Sequence, residues 1–264
     1  MRNVQNSPGQ QRASSRRAFL LLAVGGPVAT LLGACGTSAQ AATRATPAPP
    51  GQSNVVIIGD SLSTGFGTSP EQAWPTLLSQ RFTTQEPSLI LVNGAQNGSG
   101  YVTTGSEGDT FGAEVQRYVN AWTRTVLFFG SDNDLGEDPP QIKQAALAAL
   151  QDVRLRAPHA RRIVVGPPAY SADPDQDLLA IRDALKAAAE ASSAEFVDPI
   201  ALDWMASQAD ALLGPDGEHP SPAGHVRLAD LMGAVLGLTT ATPAPTPSAT
   251  PAAVPPTASP TPGG

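Results

Sequence analysis

A three-layer α/β domain on a mostly parallel, five-stranded sheet is the fold this sequence predicts, on three observations. Apolar runs of strand length recur at wide intervals between residues 54 and 238. The runs are continuous rather than alternating, as in strands buried on both faces of a parallel sheet. The segments between them carry helical periodicity, so strand and helix alternate along the chain.

The first strand is "NVVIIG" (54–59), which runs directly into "DSLSTG". A helix follows over "SPEQAWPTLLSQRF" (69–82), with Ser69 as N-cap, Pro70 in the first turn and Pro75 within the opening turns. "LILVN" (89–93) is the second strand and "TVLFFG" (125–130) the third. "PPQIKQAALAALQDVRLRA" (139–157) then places Ile142, Ala146, Leu147 and Leu150 on one helical face. The fourth strand, "RIVVGPP" (162–168), precedes a helix over "DQDLLAIRDALKAAAEA" (175–191) that turns Leu178, Ile181 and Leu185 to one side. "EFVDP" (195–199) is the fifth strand. The last helix, "SPAGHVRLADLMGAVLGL" (221–238), starts from Ser221 as N-cap with Pro222 at its first position. Sites in such sheets form outside the carboxyl ends of the strands. Ser61, the loop after Asn93 and "GSDND" (130–134) therefore share one rim.

Three segments lie outside that domain. Residues 1–34 carry arginines, no acid, and an apolar run, "AFLLLAVGGPVATLLGA", that Gly25, Gly26 and Pro27 interrupt. The run is short for a membrane span. "SSRRAFL", with Arg16 and Arg17 adjacent, resembles a twin-arginine export signal, and "LLGAC" resembles a bacterial lipoprotein cleavage box with Cys35 as the acylated residue. Cys35 is the one cysteine of the chain, so no intramolecular disulfide can form. A diacylglycerol on its sulfur contributes about 0.8 kcal/mol per buried methylene, and two or three acyl chains would hold the exported protein on the outer side of a membrane. Residues 35–53 read as this acylated cysteine and a flexible linker. Residues 239–264, "TTATPAPTPSATPAAVPPTASPTPGG", read as a Pro/Thr-rich disordered tail with too little apolar side chain to bury.

The formal charge is −7, and setting aside the four arginines of residues 1–34 takes it to −11. An acidic chain without a basic patch argues against nucleic acid as a partner. It also leaves membrane attachment to the lipid rather than to electrostatics. The acidic spacing of "SDNDLGED" lacks a calcium-loop pattern, so no metal is expected there.

Ser61 and Ser63 both follow the first strand, and either hydroxyl needs a base before it can act as a nucleophile. His159, in "RAPHARR", reads as a solvated loop residue. His225 lies in the first turn of the last helix, with no acid three or four positions before it. His219 stands in "GPDGEHPSPAGH", with Asp216 three residues earlier. A carboxylate there can accept the imidazole Nδ1–H while the other ring nitrogen faces a serine. Glu218 is nearer in sequence, but neighbouring side chains of an extended loop point apart, which favours Asp216. Taken alone, "DGEHP" reads better as a turn carrying a surface histidine. Glycine amides in "VNGAQNGSG" (92–100) and Asn133 in "FGSDNDLG" (129–136) are candidate donors to a tetrahedral oxyanion.

In chain order these segments run GDSL, a glycine loop, an Asn-Asp pair and D-x-x-H. Together they resemble the GDSL/SGNH hydrolases over residues 54–238. The resemblance implies a flavodoxin-like α/β/α sandwich and a serine esterase without metal or organic cofactor. It implies that Ser61 attacks, that His219 serves as base and then acid, and that Asp216 orients it. It further implies an oxyanion hole from the Ser61 amide, the Gly98 amide and the Asn133 side chain. Gly98 is chosen over Gly94 and Gly100 because it follows Asn93 at the family's five-residue interval. The third block departs from the family's G-x-N-D by one extra residue between Gly130 and Asn133, so either Ser131 replaces the glycine or the loop is longer. Asp60 reads as a structural residue of the turn and Ser63 as a capping or loop serine. The expected substrates are acetyl or short acyl esters of envelope carbohydrate, or small lipid esters. The alternatives are an acyltransferase using the same triad on cell-wall glycans, and a non-catalytic envelope-binding lipoprotein.

Overall fold

The computed structural model describes residues 53–82, 89–130 and 132–238. The expected export signal, Cys35 with the expected linker up to residue 52, the C-terminal tail and Ser131 lie outside the described residues, and Ser53, expected in the linker, opens β1. Five strands form one sheet: β1 (Ser53–Gly59), β2 (Leu89–Asn93), β3 (Thr123–Phe129), β4 (Arg161–Val165) and β5 (Glu195–Val197). Their order is β2-β1-β3-β4-β5 and every pairing is parallel, with Val56 facing Val92 on one side and Val126 on the other. The helices are α1 (Ser61–Thr64), α2 (Trp74–Phe82), α3 (Phe111–Tyr118), α4 (Pro139–Arg156), α5 (Gln176–Ala191), α6 (Ala209–Leu212) and α7 (Pro222–Leu236). Among the described residues, no helix is long and apolar enough to cross a membrane.

The continuous apolar runs explain the two cores. Alternate residues of a strand point to opposite faces. Val56, Ile58, Val126, Phe128 and Val164 therefore pack against α3, α4 and α5 through Phe111, Val115, Ile142, Leu150, Ile181 and Leu185. Ile57, Leu127, Phe129, Ile163 and Val165 pack on the other face against α2 and α7, through Trp74, Leu78, Leu228 and Met232. Each such side chain contributes roughly 1.5–3 kcal/mol by leaving water. Helices on both faces make the three layers.

Two expectations need correction, and two short elements add to the predicted set. "LILVN" and "EFVDP" are not buried on both faces: β2 and β5 are the two edge strands, Ile90 is 39% exposed, and no residue of β5 is fully buried. The helix expected from Ser69 begins at Trp74. Pro75 tolerates only the opening turn of a helix, because its ring would collide with the carbonyl four residues back. Residues 69–73 instead form a turn in which the Ser69 carbonyl accepts from the Gln72 and Ala73 amides. The short helix α3, capped by the Thr110 hydroxyl, was not foreseen at all. Nor was the 3-10 turn at Ala206–Gln208 with α6 behind it.

Candidate active site

β1 ends at Gly59, and the chain turns at once into α1. Asp60 is the N-cap: its backbone is extended and its Oδ1 accepts the Leu62 N–H at 2.9 Å. Ser61 is the first residue of α1, so its own N–H has no partner within the helix. It is only 8% exposed. The second serine does something else. Ser63 is fully buried, where its Oγ accepts the Trp74 indole N–H at 3.1 Å, so it is a core hydrogen-bond partner rather than a cap.

The glycine loop after β2 is tied to this turn at several points. Asn93 Nδ2 donates to the Ser63 carbonyl at 2.8 Å, and the Thr64 and Asn97 side chains meet at 2.5 Å. The three candidate glycines differ in what a side chain would meet. A Cβ on Gly94 would strike the Tyr118 ring, and one on Gly100 would strike the Asp134 carboxylate. Gly98, at φ +75, faces open space. Of the three candidate glycines, Gly98 alone has open space on that side.

The loop after β3 brings Asn133 and Asp134. Gly130, at φ +114, lies so close to the Asp60 carboxylate that a Cβ would overlap it. Asn133 Nδ2 donates to the Ser99 carbonyl at 2.9 Å and lies 3.4 Å from Asp60 Oδ2. Asp134, fully buried, accepts the backbone N–H groups of Tyr101, Val102 and Thr103 at 2.8, 3.1 and 2.9 Å. It staples the two loops together. Asp132 accepts the Tyr170 hydroxyl at 3.3 Å, and burial, then the Glu218 charge, push its carboxyl above the usual range.

His219 arrives from the loop before α7. Asp216 builds that loop around itself: its Oδ1 accepts the Glu218 and His219 amides at 3.1 and 3.0 Å, and its Oδ2 lies 2.9 Å from His219 Nδ1. Those two amides and the imidazole hold the Asp216 carboxyl at about 2. A carboxylate only accepts, so Nδ1 carries the ring proton and Nε2 is left to accept. Nε2 lies 3.0 Å from Ser61 Oγ. The half-exposed Phe66 ring covers the imidazole at 4.6 Å.

The other histidines stand apart. His159 is exposed. His225 is fully buried, and burial, with the His219 charge second, lowers it to about 4. Among the described residues no group of three His, Cys, Asp or Glu side chains is placed to hold a metal ion. Phe66 and Glu114 carry no expectation from the sequence, while Asn93 and Asp134 enter there as motif positions without a role of their own. Their contacts reach across 30 or more positions or, for Phe66, between two loops, and no local pattern encodes them.

Comparison with known proteins identifies the family and the fold. Residues 57–227 match the model of the GDSL-like Lipase/Acylhydrolase family. A GDSL lipase of Mycobacterium tuberculosis is 35% identical over 189 residues, covering 70% of this chain and 81% of its own length. Among solved structures, TesA superposes with a TM-score of 0.57 at 22% identity, covering 70% of this chain and 98% of its own. A carbohydrate acetylesterase from Sinorhizobium meliloti superposes with a TM-score of 0.56 at 18% identity, covering 70% and 99%. At those identities the structures speak for the α/β fold. The family match covers most of the described domain, and this chain belongs to the GDSL-like lipase/acylhydrolase family as a carboxylic ester hydrolase.

Proposed function

We propose that the protein is an exported, lipid-anchored serine esterase that cleaves acetyl or short acyl esters of envelope carbohydrate, or small lipid esters, through an acyl-serine intermediate. One observation carries the chemistry: the continuous chain from Asp216 Oδ2 to His219 Nδ1 (2.9 Å) and from His219 Nε2 to Ser61 Oγ (3.0 Å). Ser61 Oγ attacks the ester carbonyl carbon while its proton passes to Nε2. The carbonyl electrons move onto oxygen, where the Ser61 and Gly98 amides and Asn133 Nδ2 are the proposed donors. One Asn133 hydrogen is committed to Ser99, but its 3.4 Å contact with Asp60 is long enough for a developing oxyanion to compete for it. Collapse breaks the ester C–O bond, and the departing alcohol takes the proton from Nε2. Water then repeats the sequence on the acyl-serine, giving up its proton to Nε2, which returns it to Ser61. Asp216 holds Nδ1–H throughout and stabilises the imidazolium. The partial exposure of His219 and Asp216 supports hydrolysis over acyl transfer, since water reaches the base.

The test is turnover of a p-nitrophenyl ester series from acetate to laurate by wild type and Ser61→Ala. Loss of activity in the variant supports the reading, and the preferred chain length separates acetyl esters from lipid esters. An equally active Ser61→Ala would overturn it. The anchor rests on "LLGAC" with the signal-like segment before it and on Cys35 being the one cysteine, and Cys35→Ser is expected to move the protein from the membrane to the soluble fraction.

A further inference from the structure

Behind the proposed nucleophile lies a carboxyl that the reaction above does not use. Glu114, in the first turn of α3, is fully buried. Its Oε2 accepts the Gly59 N–H at 3.1 Å. On the other side of the same residue, the Gly59 carbonyl accepts the Ser99 hydroxyl at 3.0 Å and the Gln96 amide at 3.1 Å. Gly59 has no room to shift, since even a Cβ there would lie 3.0 Å from the Phe129 carbonyl oxygen and 3.1 Å from Ser63 Oγ. Ser61 follows two residues later. The nucleophile is thus presented from a peptide gripped on one side by Glu114.

Among the described residues no cation is paired with Glu114. Asp60 faces it from the nucleophile turn, Asp109 from the loop before α3, and Ser99 from the glycine loop. The buried Tyr101 hydroxyl shares its field. Arg117, on the same helix, is engaged at the surface by Asp109 at 2.6 Å and Glu107 at 3.6 Å. The other buried carboxylates are better served: Asp134 accepts three backbone N–H groups, and Asp60 accepts the Leu62 amide and faces Asn133. Glu114 accepts one backbone N–H, and its Oε1 has no hydrogen-bond partner among the described residues. Burial therefore raises its carboxyl to about 8, against the Ser99 and Gly59 hydrogen bonds and with help from the Asp60 and Asp109 charges.

We propose that Glu114 is a positioning residue: as a neutral acid it holds the Gly59 peptide that presents Ser61, and when it loses its proton that grip fails. The inference rests on Ser61 being the nucleophile. Ionisation strengthens the single Gly59 N–H bond, but that bond cannot offset a charge placed beside buried Asp60 and Asp109, so the ionised carboxyl turns toward water and releases Gly59. The folded value lies above the ordinary 4.5, so any stabilisation from the neutral acid is complete below about 4.5 and is lost as pH rises through about 8.

The experiment is kcat for an acetate ester from about pH 6 to about pH 10 with wild type, Glu114→Gln and Ser61→Ala. Wild-type kcat is expected to fall about tenfold per pH unit above about 8, as for loss of one proton, with KM unchanged. Glu114→Gln keeps an acceptor for Gly59 and cannot ionise, so its alkaline fall should vanish. A folded Glu114→Gln that is uniformly slow with the wild-type alkaline limb intact would overturn the inference, since that is the mark of a merely structural residue. Should that variant not fold, infrared titration of the wild type decides: a protonated-carboxyl band lost near pH 8 supports the proposal, and no such band at neutral pH contradicts it. An active Ser61→Ala would instead remove the nucleophile reading itself, whatever Glu114 does.

Discussion

Asp216 and His219 meet within four consecutive residues of one loop, and Asp216 is 42% exposed at its side chain. Ser61 is held in the opposite manner. The turn that presents it is itself buried, and it is bonded to Asn93, Glu114 and Asn133 across 30, 55 and 73 positions of sequence. The difference separates what is cheap from what is costly to build. A loop that folds its own acid around its own histidine needs little from the rest of the protein, and solvent screens its charges. A buried turn braced by distant segments exists only if the whole sheet forms. Disturbing it leaves polar groups without partners in a low-dielectric interior.

The comparison breaks first at Asp134. Replacing it with Ala removes the acceptor of three backbone N–H groups, and stability should fall by about 3 kcal/mol or more. Urea unfolding would register this as a lower midpoint with an unchanged slope. A loss below about 1 kcal/mol would mean that the buried side is no more demanding than the exposed one.

Asn133→Ala comes next. If the second Nδ2 hydrogen serves the oxyanion, kcat should drop by roughly 10²–10³ with little change in KM. A change under about threefold would mean that the longer third block has put another donor in that place.

Asp216 should give the smallest effect on stability. Its folded carboxyl lies at about 2, below the ordinary 3.8. The stabilisation is therefore present above about 3.8 and is lost as pH falls through about 2. Melting of wild type and Asp216→Asn between about pH 5 and pH 2 should differ only slightly, because the group is solvent-exposed. A large difference would place Asp216 among the costly groups and erase the contrast.

The same contrast explains what could be read from the sequence. The three inner strands were legible because a parallel sheet buries both their faces, and "TVLFFG" has no other use for five apolar and threonine side chains in a row. "LILVN" looked equally buried, yet an edge position leaves Ile90 exposed, and the order of strands is not written in any one of them. Helix α3 was illegible because it is eight residues long and buries an acid, Glu114, where the amphipathic pattern asks for an apolar residue. Asp216 and His219 fall within one short window, so their pairing could be proposed from spacing. Ser63 was misread because its partner, the Trp74 indole, lies eleven residues away in another element. Glu114 carries no signal at all in a single sequence, since its bond to Gly59 spans 55 positions.

The most direct test of the central claim is covalent labelling of the folded protein by a fluorophosphonate, followed by peptide mapping. Wild type is expected to take up a single label on Ser61, and Ser61→Ala none, with His219→Ala labelled far more slowly. A label on Ser63 or on any other serine, or a folded wild type that takes none, would contradict the assignment of Ser61 as the nucleophile.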